Sequence, residues 1–340
     1  MSTTDDAARV AAFYDDFGRR WAHGTSPLYE EWALGIAADP ALIARIAALS
    51  PRLRQPNILF AAARWAGCPL ATFAAWQDWL DAHWDEVVEI AGARSTQTNE
   101  PNRCATLLPP LTRIDGPVAL LEVGTAAGLC LFPDRYGYDF DAPGGPRTLE
   151  PVEGPSPVRL SCRVDDDASV PARLPEVAWR RGIDLSPIDA SDPEAVDWLA
   201  TLVWPGPDHD SRVARLRAAA KVAASDPPDI VQGDLLETVT DVAATAPADA
   251  TLVVFHSAVL LYLDAAGRAR FAEIMAGLGS AVGRDVVWLS NETLGTFSDV
   301  DAQVPAGLDT AHRFVQTRDK VPIALAGQHG AVYETRPFRG

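Results

Sequence analysis

Apolar residues recur at helical spacing through the first hundred or so positions. Val10, Phe13, Tyr14, Phe17 and Trp21 fall at steps of three and four and predict one apolar stripe. Asp39-Pro40 supplies an N-cap and a first-turn proline, so a short helix is expected from Ala41 to Leu49, closed by Pro51. Two more helices are expected over Asn57 to Ala66 and Ala71 to Ala91. The second carries Phe73, Trp76, Leu80 and Trp84 at the same spacing, which reads as core.

The pattern changes near residue 112. Val118 to Val123 is a short continuous apolar run, suited to a buried parallel strand. Residues 134 to 178 are rich in Pro, Gly and Asp. Arg135 to Phe140 and Val158 to Val164 read there as strands of a β-hairpin insert. Helical spacing returns over Ala195 to Leu202, Ser211 to Ala224 and Ala265 to Leu278. Strand-like runs lie at Ile230 to Gln232, Ala250 to Phe255 and Asp285 to Leu289, and a final hairpin at Arg313 to Val315 and Ile323 to Thr335. This alternation predicts an α/β domain with a parallel sheet over 112–340, preceded by a helical domain over 1–111.

The chain has 340 residues, 46 acidic and 29 basic, for a net charge of −17. Such acidity argues against nucleic acid and anionic membrane as partners. No apolar run nears the ~20 residues of a membrane span. The polar, acidic start Met1-Ser2-Thr3-Thr4-Asp5-Asp6 lacks a leader pattern, so a cytoplasmic location is expected. Cys68, Cys104, Cys130 and Cys162 show no Cys-x-x-Cys spacing. Buried free thiols and no metal are the expectation.

Candidate chemistry centres on Glu122-Val123-Gly124-Thr125-Ala126-Ala127-Gly128, where an acidic residue ends the buried strand and small residues follow at alternate positions. A dinucleotide fingerprint would need a glycine at position 129, which holds Leu129. The E-x-G-x-A-x-G pattern instead resembles the first motif of class I S-adenosylmethionine-dependent methyltransferases. Taken alone, it reads equally as a strand-to-helix turn with small residues for packing. Asp184, in Gly182-Ile183-Asp184-Leu185, resembles the acidic residue that holds the ribose hydroxyls. Asp234, in Gln232-Gly233-Asp234-Leu235, resembles the one that caps the adenine amine. Glu122 and Asp184 are 62 residues apart, against roughly twenty in related folds, and the insert accounts for the excess. Pro133 shortens the helix expected after Gly128.

Ser26-Pro27-Leu28-Tyr29, Arg54-Gln55-Pro56-Asn57, Gln97-Thr98-Asn99-Glu100, Asp134-Arg135-Tyr136, Val203-Trp204-Pro205 and Phe255-His256-Ser257, with the glycine turn, resemble one bacterial family, domain of unknown function 2332. The resemblance implies a Rossmann-like class I methyltransferase sheet and S-adenosylmethionine as cofactor. Glu122, Gly124, Ala126, Gly128, Asp184 and Asp234 would then form the cofactor site. His256, after the fourth strand, reads as a general base or as a core histidine. Gln97, Asn99, Glu100 and Arg103 read as an entrance loop, with Arg103 suited to a carboxylate of cofactor or substrate, or as helix caps. The expected activity is methyl transfer to an oxygen or nitrogen of a small molecule. The alternatives are a degenerate S-adenosylmethionine binder and an enzyme that uses the cofactor without methylating.

Overall fold

The structure is a computed structural model that describes residues 3–338, so Met1 and Ser2 of the acidic start lie outside the described residues. The helical spacing of the first hundred residues folds as α1 (Thr3–Asp16), α2 (Pro27–Ala37), α3 (Pro40–Ala47), α4 (Pro56–Trp65) and α5 (Phe73–Ala93). Asp39 caps α3, its carboxylate accepting the Ala41 and Leu42 amides. After α1 the chain widens into a π-helical turn at Phe17–Ala22. Val10, Tyr14 and Phe17 are buried, whereas Phe13 and Trp21 are 45% and 47% exposed. The stripe is narrower than the spacing implies, because the π turn rotates Trp21 off the buried face.

Contacts divide the chain into two compact units, Met1–Thr98 with Glu194–Ala214, and Asn99–Pro193 with Arg215–Gly340. The expected boundary at 111/112 is therefore corrected in two ways. Residues 99–111, including α6 (Cys104–Leu111), belong to the second unit. Most of α7 (Pro193–Leu202) returns to the first, where Trp198 joins the aromatic core around Trp32, Phe60 and Trp76. Helix α6 went unread because Pro109 and Pro110 lie inside it.

The second unit contains β1 (Val118–Val123), β2 (Gly137–Ala142), β3 (Gly145–Leu149), β4 (Arg159–Val164), β5 (Val177–Asp184), β6 (Asp229–Gln232), β7 (Thr251–Ser257), β8 (Val286–Glu292), β9 (Arg313–Arg318), β10 (Val321–Gly327) and β11 (Val332–Glu334). With them run α8 (His209–Ser225), within which the division between units falls, α9 (Leu235–Ala243), α10 (Ala265–Val282) and the short α11 (Ser298–Asp301). The described strands form one mixed sheet in the order β3-β2-β4-β11-β10-β9-β8-β7-β1-β5-β6. Its β6-β5-β1-β7-β8 segment is parallel throughout, and β9 is antiparallel to both β8 and β10. The α/β class is thus observed.

From β1 the chain builds first toward β5 and β6, then toward β7 and β8. Strand order reverses between β1 and β7, and the crevice beyond the C-terminal ends of strands at such a reversal is where open α/β sheets hold ligands. β1 is buried at every position, and Ala119, Leu121 and Val123 pack with Val254, Phe271 and Met275 in one core.

The expected insert is present, but its hairpin pairs β2 with β3; the strands expected to form it, Arg135 to Phe140 and Val158 to Val164, correspond to β2 and β4, which run parallel. Its strand β4 pairs in parallel with β2 and with β11, which carries the insert to the sheet edge opposite β6. Among the described residues the β1–β5 connection has no α-helix, only 3-10 turns at Leu129–Leu131 and Asp167–Ser169. All four cysteines are free and buried. Among the described residues no helix is long and apolar enough to cross a membrane.

Candidate functional site

The glycine turn leaves the end of β1 in a left-handed backbone path. Gly124, Ala126 and Gly128 have φ of 72°, 51° and 71°. For Ala126 this region is strained, since its Cβ crowds the carbonyl. Two tertiary bonds hold it there. Its N–H donates to Asp184 Oδ2 at 2.8 Å, and its carbonyl accepts from Ile188 N at 3.1 Å. Asp184 Oδ1 accepts from Ser186 N at 2.8 Å, and the Asp184 carbonyl accepts from Gly233 N at 3.0 Å. Asp184 thus stands at the turn, 58 residues from Ala126 in sequence.

Glu122 lies beneath the turn, buried, with Thr125 Oγ1 donating to its Oε2 at 2.6 Å. Burial pushes its carboxyl up to about 8; Thr125 and the Arg103 guanidinium oppose that rise, and the Asp184 charge adds to it. The glycines make close approaches of their own. A Cβ at Gly124 would sit 2.4 Å from Val259 Cγ2, and one at Gly128 would sit 2.9 Å from Pro228 Cγ. The open face of Gly124 therefore meets the Val259 side chain, from the segment just after β7.

Asn99 and Arg103 reach the same region. Asn99 Oδ1 accepts from Ala127 N at 3.0 Å, which fixes the amide orientation. Its Nδ2 is buried and has no partner among the described residues. Arg103 Nε donates to Gln328 O at 3.0 Å and Nη1 to Ser257 O at 3.1 Å. Burial lowers the Arg103 pKa, and Cys130, Glu100, Glu292 and Glu122 act against that. The turn after β10 thereby touches Arg103.

Other expected site residues already have structural partners. Glu100 is buried and accepts from Arg215 Nε and Nη2 at 3.0 and 2.9 Å, so it neutralises an arginine on α8. Gln97 belongs to the first unit, where Ser95 Oγ donates to its side-chain oxygen at 3.5 Å. Asp234 caps α9, with Oδ1 accepting from Leu236 N at 2.8 Å. The insert's Tyr136 and Tyr138 are fully buried, their hydroxyls donating to Leu129 O and Pro133 O at 2.7 Å. They anchor the insert and do not form the exposed hairpin surface that its composition suggests. Tyr262, by contrast, is 69% exposed.

His256 requires the largest correction. It is buried, and both ring nitrogens are engaged. Trp288 Nε1–H donates to Nε2 at 3.0 Å. Since indole only donates, Nε2 is the acceptor and Nδ1 carries the hydrogen. That Nδ1–H donates to Glu292 Oε1 at 2.7 Å. No ring nitrogen is open to a methyl acceptor, so in this arrangement the expected general base is a structural link between β7 and β8.

Glu292 is the residue that the sequence reading missed. It is the last residue of β8, as Glu122 is the last but one of β1, the same signal of an acidic residue at the end of a buried strand. Its Oε1 also accepts from Val259 N at 3.0 Å and Leu260 N at 3.2 Å, fixing the segment that overlies Gly124. The ends of β1, β7 and β8 thus bring two buried carboxyl groups and the buried Arg103 guanidinium together, with Glu122 keeping its proton up to about 8 until a cation beside it favours the carboxylate.

A search of curated proteins finds no match to the chain. A bacterial family model, described as "Uncharacterized protein conserved in bacteria (DUF2332)", matches residues 11–334, and the chain belongs to that family.

Proposed function

We propose that the chain binds S-adenosylmethionine in the crevice between β1 and β7 and directs its methyl group to an oxygen or nitrogen of a small molecule. One arrangement carries the reading: the left-handed turn Gly124–Gly128, tied to Asp184 at the point where strand order reverses. The parallel order β6-β5-β1-β7-β8 followed by an antiparallel strand supports a Rossmann-like methyltransferase sheet.

The residues at hand suit such a ligand. Glu122 would face the ammonium group, Arg103 and the unpartnered Asn99 Nδ2 the carboxylate, and Asp184 the ribose hydroxyls. When bound, the cofactor supplies an electrophilic methyl on a sulfonium. The chain's own part is to hold and orient the two reactants and to exclude water. The proton of the acceptor is not assigned to His256, whose nitrogens are taken.

A second reading, a non-catalytic or degenerate binder, is favoured by that locked histidine and by Val259 against Gly124. An enzyme using the cofactor without methylating is the third. Calorimetric titration with S-adenosylmethionine, with NAD as control, tests the shared premise. Incubation with cell extract then separates the readings. S-adenosylhomocysteine supports methyl transfer, binding without turnover supports the second reading, and another breakdown product the third. Binding of NAD in its place overturns all three.

A further inference from the structure

A small cavity lies on the face of β8 and β9, apart from the glycine turn, and the proposed function makes no use of it. Ser290, Glu292, Thr293, Thr296, Asp301 and Thr317 contribute its polar lining. Ser290 and Thr317 are register partners across the two strands, and Glu292 follows Ser290 on the same side of β8. The cavity has room for about one water-sized occupant.

The Glu292 carboxylate is 4% exposed and unevenly satisfied. Oε1 takes three donors, from His256 Nδ1 and the amides of Val259 and Leu260. Oε2 is buried with no partner among the described residues, and Glu292 is one of the residues that line the cavity. His256 is the one group within ion-pair distance among the described residues. With Trp288 donating to its Nε2, the ring brings no net charge. Among the described residues no cation pairs with this carboxylate within ion-pair distance, although the Arg103 guanidinium acts on it from farther away, and a buried carboxylate oxygen left without a partner is costly.

We infer that this cavity binds one monovalent cation, held by Glu292 Oε2 and the hydroxyl oxygens of Ser290 and Thr317. Glu292 is the one buried carboxylate of the lining, which suits a single positive charge. Asp301, the other carboxylate in the lining, accepts the Gly295 amide with both oxygens at 3.1 Å. Among the described residues no group of three or more His, Cys, Asp or Glu converges as a metal site, whereas divalent ions favour several carboxylates. The cation would brace Glu292, and through it the backbone of Val259, whose side chain meets Gly124.

Thermal unfolding of the whole chain, in sodium, potassium, ammonium or tetramethylammonium chloride at one ionic strength, tests this. The expected result is a saturable rise in Tm with at least one small cation and none with tetramethylammonium. Glu292→Gln abolishes the rise. Should that variant fail to fold, Thr317→Val is expected to move saturation to higher cation concentration. Thallium(I) titration of the wild-type chain, read by thallium NMR, should show a bound resonance that potassium or sodium displaces. Equal Tm in all four salts with no bound thallium signal overturns the inference and leaves the cavity to a water molecule.

Discussion

Replacing Glu122 by glutamine gives the sharpest check on the electrostatics of the site. The substituted amide would keep the size of a neutral glutamic acid and can still accept the Thr125 hydroxyl. In the folded chain burial raises the Glu122 carboxyl from an ordinary 4.5 to about 8. Between those values the folded state keeps a proton that the unfolded state has released. The stability from the protonated group is fully present below pH 4.5 and is lost as pH rises through about 8. At 1.36 kcal/mol per pH unit, that interval sets a ceiling of about 5 kcal/mol.

Differential scanning calorimetry from pH 5 to pH 9 reads the effect and separates transitions of the two units, which need not unfold together. Wild type and Glu122→Gln are expected to melt nearly together at pH 5. Toward pH 9 the variant should melt higher, by up to roughly 10–20 °C at ~2–4 °C per kcal/mol. Other titrating groups cancel in the difference between the two curves. Parallel curves across this range would refute the buried, proton-holding Glu122. A variant that loses stability equally at every pH would show that Glu122 contributes packing alone.

Three more outcomes are expected. Gly124→Ala should destabilise the second unit by about 1–2 kcal/mol for the left-handed backbone plus about 1–3 kcal/mol for the clash with Val259; Val259→Ala in the same chain should recover the second part, read by urea unfolding. Asp184→Ala removes acceptors from the Ala126 and Ser186 amides, and calorimetric titration should show S-adenosylmethionine affinity reduced by roughly 1.5–3 kcal/mol per charged hydrogen bond lost. His256→Ala should lower Tm by leaving Trp288 Nε1 and Glu292 short of a partner, at about 1–3 kcal/mol for each group; if turnover is found, a loss of roughly 10²–10⁴-fold at unchanged Tm would restore the general base.

What the sequence determined by itself is local. The run Val118–Val123 was legible to the residue because a strand buried on both faces needs continuous apolar side chains. Asp39-Pro40 located α3 because capping and a fixed proline φ act within one turn. The turn after Glu122 was legible from its small residues, whereas the left-handed φ of Ala126 rests on its bonds to Asp184 and Ile188. Only the tertiary structure decided which distant groups meet. Asp184 reaches Ala126, Arg215 neutralises Glu100, and Trp288 with Glu292 occupies both nitrogens of His256. None of these pairs leaves a periodic trace, because the fold brings them together across dozens of residues. The same holds for the insert, whose composition suggests an exposed hairpin while its tyrosines are buried and β4 extends the sheet through β11. A side chain's chemical type is written in the sequence. Its free valences depend on the neighbours that burial imposes, and these turned His256 from a candidate base into a link between strands.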